Sequence, residues 1–487
     1  MKQLRGRCDA WMGLGLGCLS LVGPLACTPA RVSGDEGDGT TEGTGSSSAA
    51  STDDGVDSSD DVATTVPADS SGSAGSSTGT GEPECGNGQV EPGEQCDEAS
   101  DGCADCMFVC GLEPAIVMAL TGSTVVTITP PPVAIRDGSG DFGVTSANAV
   151  HRITATGQQV WVKSGPPASD WAYGVALLGD DELVGTWTIG AQAPFVSRVT
   201  RHSPADGSIV AMFDVPGAPN SVAHGGVLVS DDDVLLALSV DTDAMTTGAV
   251  VQRRSSDGET VVWSTDIAAD PKSVGNQRDY ATFLGLADDG AVFMGGARIA
   301  GTSHDALVAK LDADGNELWQ RVPFPDDATS IAARLMQPSP VADGGVAFVT
   351  WRQYTSAAIS VGKFPALETR AVRLDADGET IWELDLSDQV ESGRVQLLAL
   401  RALDDGRFVV GGALVEGVEA NAWFAYLDAE GTVLCSVTSP HSGGLDTTIA
   451  DIFLDADGAM MVHGFGDSDD DVDLGTNVRW MTHAFPY

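Results

Sequence analysis

The chain has 487 residues, of which 70 are Asp or Glu and 25 are Lys or Arg, so its formal net charge is −45. A chain this acidic lacks the clustered cations that nucleic acid or an anionic lipid surface requires. Hydrophobic residues make up 42% of the sequence, which is enough for a packed core. No apolar run reaches the ~20 residues of a membrane-spanning helix, and the length allows about three domains.

Residues 1–26 have the pattern of a secretory signal, because a basic start precedes an apolar segment from Ala10 to Leu25. That segment ends in Pro24-Leu25-Ala26-Cys27, which resembles a bacterial lipobox, although Pro24 stands where Leu is usual. The resemblance implies cleavage before Cys27, lipidation of its thiol and attachment to a membrane through the lipid. The alternative is ordinary signal peptidase cleavage near Ala26 or Ala30.

Residues 27–84 are predicted to hold the lipidated N-terminus and a disordered linker. From Val32 to Glu84 the chain is mainly Ser, Gly, Thr, Asp and Glu, without an aromatic residue, Lys or Arg. Such a segment cannot bury enough apolar area to offset its conformational entropy. We therefore expect a solvated tether that holds the folded part away from a membrane.

Residues 85–110 are predicted to form a small disulfide-rich module. The strings CGNG from Cys85, EPGEQCD around Cys96 and DGC ending at Cys103 resemble the myxobacterial cysteine-rich repeat of bacterial surface proteins. In an exported chain the cysteines that remain are expected to form disulfides. They are Cys85, Cys96, Cys103, Cys106, Cys110 and Cys435. The alternative is a zinc site, because Cys103 and Cys106 have CxxC spacing.

Residues 111–487 contain two interleaved repeats. One has the form KLDADGNELW, from Lys310 to Trp319, and the other has the form LADDGAVFMGG, from Leu286 to Gly296. Each places a turn glycine between two alternating apolar runs, which predicts a β-hairpin. Two hairpins per ~53 residues give four strands per unit, the pattern of a propeller blade. We therefore predict an all-β fold: a seven-bladed β-propeller with velcro closure, in which Ala115 to Thr129 supplies the last outer strand.

The predicted closure also suggests a partner for each of two cysteines. Cys435 occupies the register position that Trp319 and Trp382 fill in other repeats, and Cys110 lies just before the predicted closing strand. We therefore expect a Cys110–Cys435 disulfide. The alternative is that Cys435 is a small buried hydrophobic residue.

Strings such as LDADGNELW, from Leu311 to Trp319, resemble the repeats of quinoprotein-like propellers and of an outer-membrane assembly lipoprotein built from them. The resemblance implies that each Trp docks one blade on the next. Quinoprotein enzymes have eight blades and a vicinal cysteine pair under the cofactor, whereas this chain has no adjacent cysteines. The resemblance therefore implies the fold without the enzymatic activity.

Strand alternation places all Asp-Gly hairpins on one face of the ring and the other loops on the opposite face. The hairpin carboxylates are predicted to cap turns and keep the ring soluble, with cation capture as the alternative. In the fifth repeat Gly344 and Gly378 are 34 residues apart, against 25 for Gly290 and Gly315. The side chains there that suit a protein or glycan contact are Trp351, Arg352, Tyr354, Lys363 and Phe364.

The loop before the last strand carries alternating carboxylates, Asp469, Asp471 and Asp473, which form a candidate Ca²⁺ site. Apart from that ion we expect no cofactor. The sequence lacks an HExxH motif and a GxxxxGK[ST] phosphate loop, so no enzymatic activity is predicted.

Together these features predict an exported, monomeric lipoprotein of the outer membrane or cell surface, whose propeller binds a protein or glycan or acts as a scaffold. Two alternatives remain. One is a secreted hydrolase or lyase with its site in the propeller funnel, and the other is a periplasm-facing envelope assembly factor.

Overall fold

A computed structural model describes part of the chain, all of it within the second of two compact units, Met1–Glu82 and Pro83–Tyr487. The described residues are 103–104, 107–108, 110–112, 116–118, 134–146, 149–165, 169–189, 196–215, 227–230, 233–241, 247–267, 277–300, 303–323, 330–354, 360–361, 364–365, 368–386, 393–416, 419–439, 446–454, 460–467 and 477–485. The predicted signal, Cys27, the linker, Cys85, Cys96 and Cys106 lie outside them. The predicted domain boundaries therefore stay predictions.

The described residues are almost entirely β-strand, as the alternating apolar pattern predicts. Four short strands come first: β1 (Cys103–Ala104), β2 (Met107–Phe108), β3 (Gly111–Leu112) and β4 (Ile116–Met118). A 3₁₀ turn at Gly179–Asp181 interrupts the strands. Within the described part of the chain, no helix has the length and apolar character needed to cross a bilayer.

Two four-stranded antiparallel sheets follow. The first has the strands β5 (Ala134–Arg136), β6 (Phe142–Ser146), β7 (Ala149–Ile153) and β8 (Gln159–Ser164). The second has β9 (Ser169–Leu178), β10 (Glu182–Ile189), β11 (Val196–His202) and β12 (Ile209–Val215).

The next sheet has eight strands. Its first half contains β13 (Val227–Ser230), β14 (Asp233–Asp241), β15 (Thr247–Arg254) and β16 (Val261–Ile267). Its second half contains β17 (Gln277–Leu286), β18 (Val292–Ala300), β19 (Ser303–Leu311) and β20 (Glu317–Arg321). The halves meet where Thr247 of β15 pairs in parallel with Arg278 of β17.

The remaining strands form three larger sheets and one small hairpin. The first of these sheets contains β21 (Ser330–Leu335), β22 (Ser339–Pro340), β23 (Val346–Tyr354), β26 (Glu368–Leu374) and β27 (Thr380–Leu384), with β24 (Ser360–Val361) and β25 (Phe364–Pro365) paired beside it. The next contains β28 (Arg394–Ala402), β29 (Phe408–Glu416), β30 (Glu419–Leu427) and β31 (Val433–Ser439). The last contains β32 (Asp446–Leu454), β33 (Met460–Asp467) and β34 (Asn477–Phe485), joined by β3 and β4.

This arrangement is a β-propeller, but the predicted number of separate blades is wrong. The described strands form six sheets of four or more strands instead of seven. The physical reason is the single parallel pairing of Thr247 with Arg278, which merges two consecutive four-stranded repeats into one sheet. Each half keeps its own antiparallel order, so the repeat pattern itself is unaffected.

The N-terminal part of the propeller completes its last sheet. In β4, Ile116, Val117 and Met118 pair with Met481, Trp480 and Arg479 of the C-terminal strand β34. In β3, Gly111 and Leu112 pair with Phe485 and Ala484. The ring is also closed by packing between the first and last sheets, where Phe142 and Phe453 meet edge to face at 6.3 Å. The strand predicted to close the ring is therefore observed at Ile116–Met118.

The turns of the hairpins follow the predicted chemistry. In the hairpin between β19 and β20, the Asp312 amide donates to the Asn316 carbonyl, and Gly315 has a φ of +83°. The Asp312 carboxylate accepts from the backbone amides of Asp314 and Asn316 at 3.0 and 2.8 Å. A residue without a side chain suits such a φ, and the short carboxylate fixes the turn.

Consecutive repeats are held together by an aromatic side chain of each outer strand. The indole Nε1 of Trp319 on β20 donates to the Ala376 carbonyl in the next hairpin at 2.8 Å. The ring also lies against the following glycine, because a Cβ built on Gly378 would be 3.0 Å from Trp319. The same donation occurs from Trp161 to Pro204, from Trp263 to Ala313 and from Trp382 to Ala429. On β12 Phe213 lies against Gly258 instead.

The sixth outer strand, β31, uses a disulfide at this position. Cys435 pairs across the hairpin with Tyr426, so it occupies the position that Trp holds on other outer strands. No complete outer hairpin follows it, because the next outer strand comes from the N-terminal side of the propeller. Cys435 is bonded to Cys110, with 5.9 Å between their Cα atoms and 325 residues between them in sequence. The predicted pairing is confirmed, and it takes the place of the Trp contact.

Replacing the turn glycine by Ala tests the aromatic contact. We expect Gly315→Ala to destabilise more than Gly406→Ala, because a Cβ on Gly315 would be 2.5 Å from Trp263, whereas a Cβ on Gly406 meets nothing within 4 Å. Both glycines have positive φ, +83° and +86°, so the control carries the same backbone cost of about 1 kcal/mol. The contact should add about 1–3 kcal/mol. Denaturant unfolding measures the loss of stability in both variants. Equal losses in the two would contradict the importance of the aromatic contact.

Removing the Cys110–Cys435 bridge should destabilise the ring. For Cys110→Ser/Cys435→Ser we expect a loss of about 3–5 kcal/mol in the free energy of unfolding, because the bridge closes a long loop. Urea unfolding compares this variant with the parent. As a control, reducing agent should lower the stability of the parent further than that of the variant, which has already lost this bridge. An unchanged midpoint in the double variant would contradict the prediction.

Candidate functional site

The hairpin face carries most of the described acidic turns, and its carboxylates are engaged by the protein itself. Asp375 accepts from the amides of Asp377 and Glu379, and Asp428 accepts from those of Glu430 and Thr432, all at 3.0 Å or less. Hydrogen bonds from Asn316 lower the pKa of Asp312, and one from the Ser255 hydroxyl lowers that of Asp257. The prediction that these acids cap turns is confirmed for these positions.

A recurring cation connects the acidic turns of successive repeats. Arg373 on β26 donates to the Asp343 carboxylate of its own repeat at 2.7 Å and to the Ala429 carbonyl of the next at 2.8 Å. Arg201 likewise binds Glu182 at 2.6 Å and the Ser256 carbonyl at 3.1 Å. Arg152 and Arg253 pair with Asp137 and Asp233. Part of the negative charge of this face is therefore neutralised in a regular pattern.

A buried hydrogen-bond chain crosses the second sheet. The indole of Trp187 donates to the Thr200 hydroxyl at 2.6 Å, and that hydroxyl lies 2.8 Å from Nε2 of His202. Nδ1 of His202 lies 3.1 Å from the Gly207 carbonyl, and Trp161 stacks on the imidazole at 5.9 Å. A carbonyl only accepts, so Nδ1 of His202 donates to Gly207. Burial lowers the pKa of His202.

The remaining histidines whose side chains are described are also interior residues. His151 lies in β7 with Nδ1 3.4 Å from the Gln159 side chain, and His463 lies in β33. Both are fully buried.

The loop end of the β23–β26 hairpin is the region predicted to contact a partner. Trp351 lies in β23 but is only 3% exposed, so it belongs to the core and is not available for contact. The physical reason is strand alternation, which points its side chain into the sheet packing. Arg352 is half-buried and pairs across the sheet with Glu368 of β26. Tyr354 ends β23 and Phe364 begins β25, but their side chains and all of Lys363 lie outside the described residues.

A ladder of alternating charges surrounds Arg352. Arg370 donates to Glu368 at 2.6 Å and also to Glu383 of β27. Burial lowers the pKa of Arg370, but the two carboxylates outweigh it and leave that pKa raised. Each of these three side chains is 22–33% exposed, so polar edges remain open to solvent. These residues were not predicted from the sequence, although Glu368 and Arg370 stand at alternate positions in β26.

The candidate calcium ligands Asp469, Asp471 and Asp473 lie outside the described residues. Within the described ranges, no group of three or more His, Cys, Asp or Glu side chains is placed to hold a metal ion. Cys103 lies in β1 and pairs through its backbone with Phe108. The disulfide and zinc interpretations of the module both stay predictions.

Comparison with known proteins finds similarity only to solved structures of low sequence identity. No family model matches the chain. No curated protein matches it either. Among solved structures it is similar to the quinohemoprotein alcohol dehydrogenase of Comamonas testosteroni, with 12% identity, a TM-score of 0.44 and coverage of 77% of this chain and 76% of that one. It is also similar to a europium-containing methanol dehydrogenase, with 12% identity, a TM-score of 0.40 and coverage of 77% and 93%.

A third similar structure is the subtype N10 neuraminidase-like protein of A/little yellow-shouldered bat/Guatemala/060/2010. It has 10% identity and a TM-score of 0.39, and the match covers 65% of this chain and 95% of that one. Two of these three structures are dehydrogenases, which are enzymes, whereas we predicted no enzymatic activity. At these identities and TM-scores the similarities carry no argument about activity, cofactor or partner.

The lowered pKa of His202 predicts a pH dependence of stability. Because the folded state binds a proton here less readily than the unfolded state, the stabilisation is complete above pH ~6.5 and is lost as pH falls through the lower folded pKa. We expect His202→Asn to reduce the loss of stability between pH 7.5 and 5. Thermal unfolding at several pH values measures this.

Thr200→Val is the matched control, because it removes a hydrogen bond to His202 and keeps the titrating imidazole. It should lower stability at every pH and retain the pH dependence. If both variants show the slope of the parent, His202 is not responsible for it.

Proposed function

We propose that this chain is an exported lipoprotein, anchored through Cys27 at an outer membrane or cell surface, whose β-propeller is a scaffold that binds a protein or glycan. The observation that carries the proposal is the Cys110–Cys435 disulfide, which stands at the closure of the ring. Structural disulfides persist mainly in oxidising compartments outside the cytosol. The disulfide therefore supports export, in agreement with the signal-like residues 1–26 and the lipobox-like sequence ending at Cys27.

The propeller suits a scaffold because its polar groups are used to hold the ring together. On the hairpin face the carboxylates are taken up by turn amides and by cations such as Arg201 and Arg373. The open polar groups of the described part include the charge ladder of Arg352, Glu368, Arg370 and Glu383. Alternating donors and acceptors suit the hydroxyls of a glycan or the backbone of a protein. We place the contact region of the proposed function at this ladder.

Lipidation can be tested at Cys27. With labelled palmitate supplied to cells, we expect the parent chain to be labelled and to sediment with membranes, and Cys27→Ser to be unlabelled and released into the exported fraction. Cys18→Ser is the matched control, because Cys18 lies within the predicted signal and should leave labelling unchanged. Labelling of Cys27→Ser, or an unlabelled parent, would contradict the anchor.

The binding role requires a separate measurement. We expect the purified chain to bind saturably to members of a glycan or protein array, and Arg352→Gln/Arg370→Gln to weaken that binding at least tenfold. Arg407→Gln is the control, since Arg407 belongs to the hairpin face and pairs with Asp405. Turnover of an array member would favour the hydrolase or lyase alternative, and equal binding by both variants would remove the ladder from the contact region.

A further inference from the structure

The outer strand β12 departs from the repeat at the position where other outer strands carry tryptophan. Ala211 stands at the hairpin register position that is filled elsewhere by Trp161, Trp263, Trp319 and Trp382. Phe213, two residues further along, lies against the turn glycine Gly258 in place of an indole. Ala211 and Phe213 are both half-buried, so this apolar side of β12 stays partly open to solvent.

The strand registers place Arg254 of β15 opposite this side of β12. Arg254 pairs with Val234 of β14 and with Val261 of β16, so the three side chains lie on one face of their sheet. That face is turned to β12, because Phe213 packs against the core cluster that contains Val234. Arg254 is 3% exposed, whereas Val261 beside it is 42% exposed. We use the name Arg254 site for the place bounded by Ala211, Phe213, Arg254 and Val261.

Other repeats do not place a cation at this position. The residues that stand in the register of Arg254 are apolar except for one histidine; they are Ile153, His202, Leu311, Leu374 and Leu427. A leucine can fill such a position without the cost of removing a charge from water. The packing of the repeat therefore does not require the guanidinium.

The Arg254 guanidinium is held by neutral groups. Nε donates to the Gln252 side chain at 2.6 Å, and Nη1 donates to the Gly258 carbonyl at 2.7 Å. Among the residues that the structure describes, no carboxylate pairs with Arg254 and no group accepts from Nη2, whereas the adjacent Arg253 binds Asp233 at 2.8 Å. Burial lowers the pKa of Arg254, but an arginine stays protonated at neutral pH. The site therefore presents a positive charge that its own neighbours do not neutralise.

We propose that the Arg254 site binds the carboxylate of a small organic acid with an apolar body, the carboxylate accepting from Nη2 of Arg254 and the body lying on Phe213 and Val261. A planar carboxylate matches the geometry of a guanidinium and forms a charge-assisted hydrogen bond with it. The half-buried Phe213 and the exposed Val261 offer apolar area that the body can cover.

Charge favours a monoanion as the ligand. The chain has a formal charge of −45, and the exposed acids Asp257, Glu259 and Asp266 lie on the turn and strand that carry Val261. Such a field repels a dianionic phosphate more strongly than a singly charged carboxylate. The apolar body then contributes affinity that acetate lacks.

Phenylacetate is a suitable probe, because it joins one carboxylate to one apolar ring. In a ligand-observed NMR titration of the purified full chain, we expect phenylacetate to bind saturably. Phenylethanol lacks the charge and acetate lacks the ring, so each should bind about tenfold more weakly or less, as should inorganic phosphate.

Three variants locate the complex. Arg254→Met keeps an apolar side chain of similar length and should weaken phenylacetate binding by about tenfold or more. Arg253→Met is the matched control, because this neighbour lies on the opposite face of β15, where it pairs with Asp233, and it should leave the affinity unchanged. Ala211→Trp restores the indole of the other repeats and should block the site.

Melting curves show which variants are folded. The proposal is overturned if folded Arg254→Met binds phenylacetate as tightly as the parent, if phenylethanol binds as tightly as phenylacetate, or if the parent shows no saturable binding. Should Arg254→Met fail to fold, Ala211→Trp decides: loss of binding supports the site, and unchanged binding overturns it. The proposal does not depend on lipidation or on the charge ladder at Arg370, so a failure here leaves those tests unaffected.

Discussion

The propeller depends on one contact: an aromatic side chain of an outer strand lying on the turn glycine of the next hairpin. Trp319 shows both parts of it, with the indole donating to Ala376 and the ring against Gly378. The contact fixes where each repeat lies on the next. It requires glycine in the turn for two reasons: the backbone has a positive φ, and the aromatic ring occupies the space above the Cα atom. The turn carbonyl also faces the preceding repeat. The Ala429 carbonyl, for example, accepts hydrogen bonds from both Arg373 and Trp382.

The acidity of the chain has a structural explanation in this frame. Tight turns need acceptors for their free amides, and Asp residues such as Asp312 and Asp375 supply them. The cations of the neighbouring strands then balance some of that charge and bridge to the next repeat, as Arg201 does. Other carboxylates, such as Glu259 and Asp266, are exposed on the surface.

Much of the ring could be predicted from local patterns, because each repeat encodes its own hairpins. Turn glycines, Asp caps and the place of Cys435 in the Trp register are visible in the sequence, and the disulfide followed from them. The sheet count was not predictable, since it depends on one pairing between Thr247 and Arg278 across repeats. The interpretation of Trp351 failed because composition does not show to which side of β23 a residue points. Glu368 and Arg370 alternate within β26, but the contact of Arg370 with Glu383 depends on how β26 pairs with β27, which the sequence does not show.

The position of the disulfide has a mechanical consequence. Cys110 stands just before β3 and β4, the short strands that close the last sheet. A pull on the chain from the N-terminal side of Cys110 reaches Cys435 through a covalent bond before it reaches either strand. The force is transmitted to β31, a strand of seven residues that is paired along β30. The strands β3 and β4 then carry no tension. The ring can thus bear tension at its own point of closure without being peeled open from it.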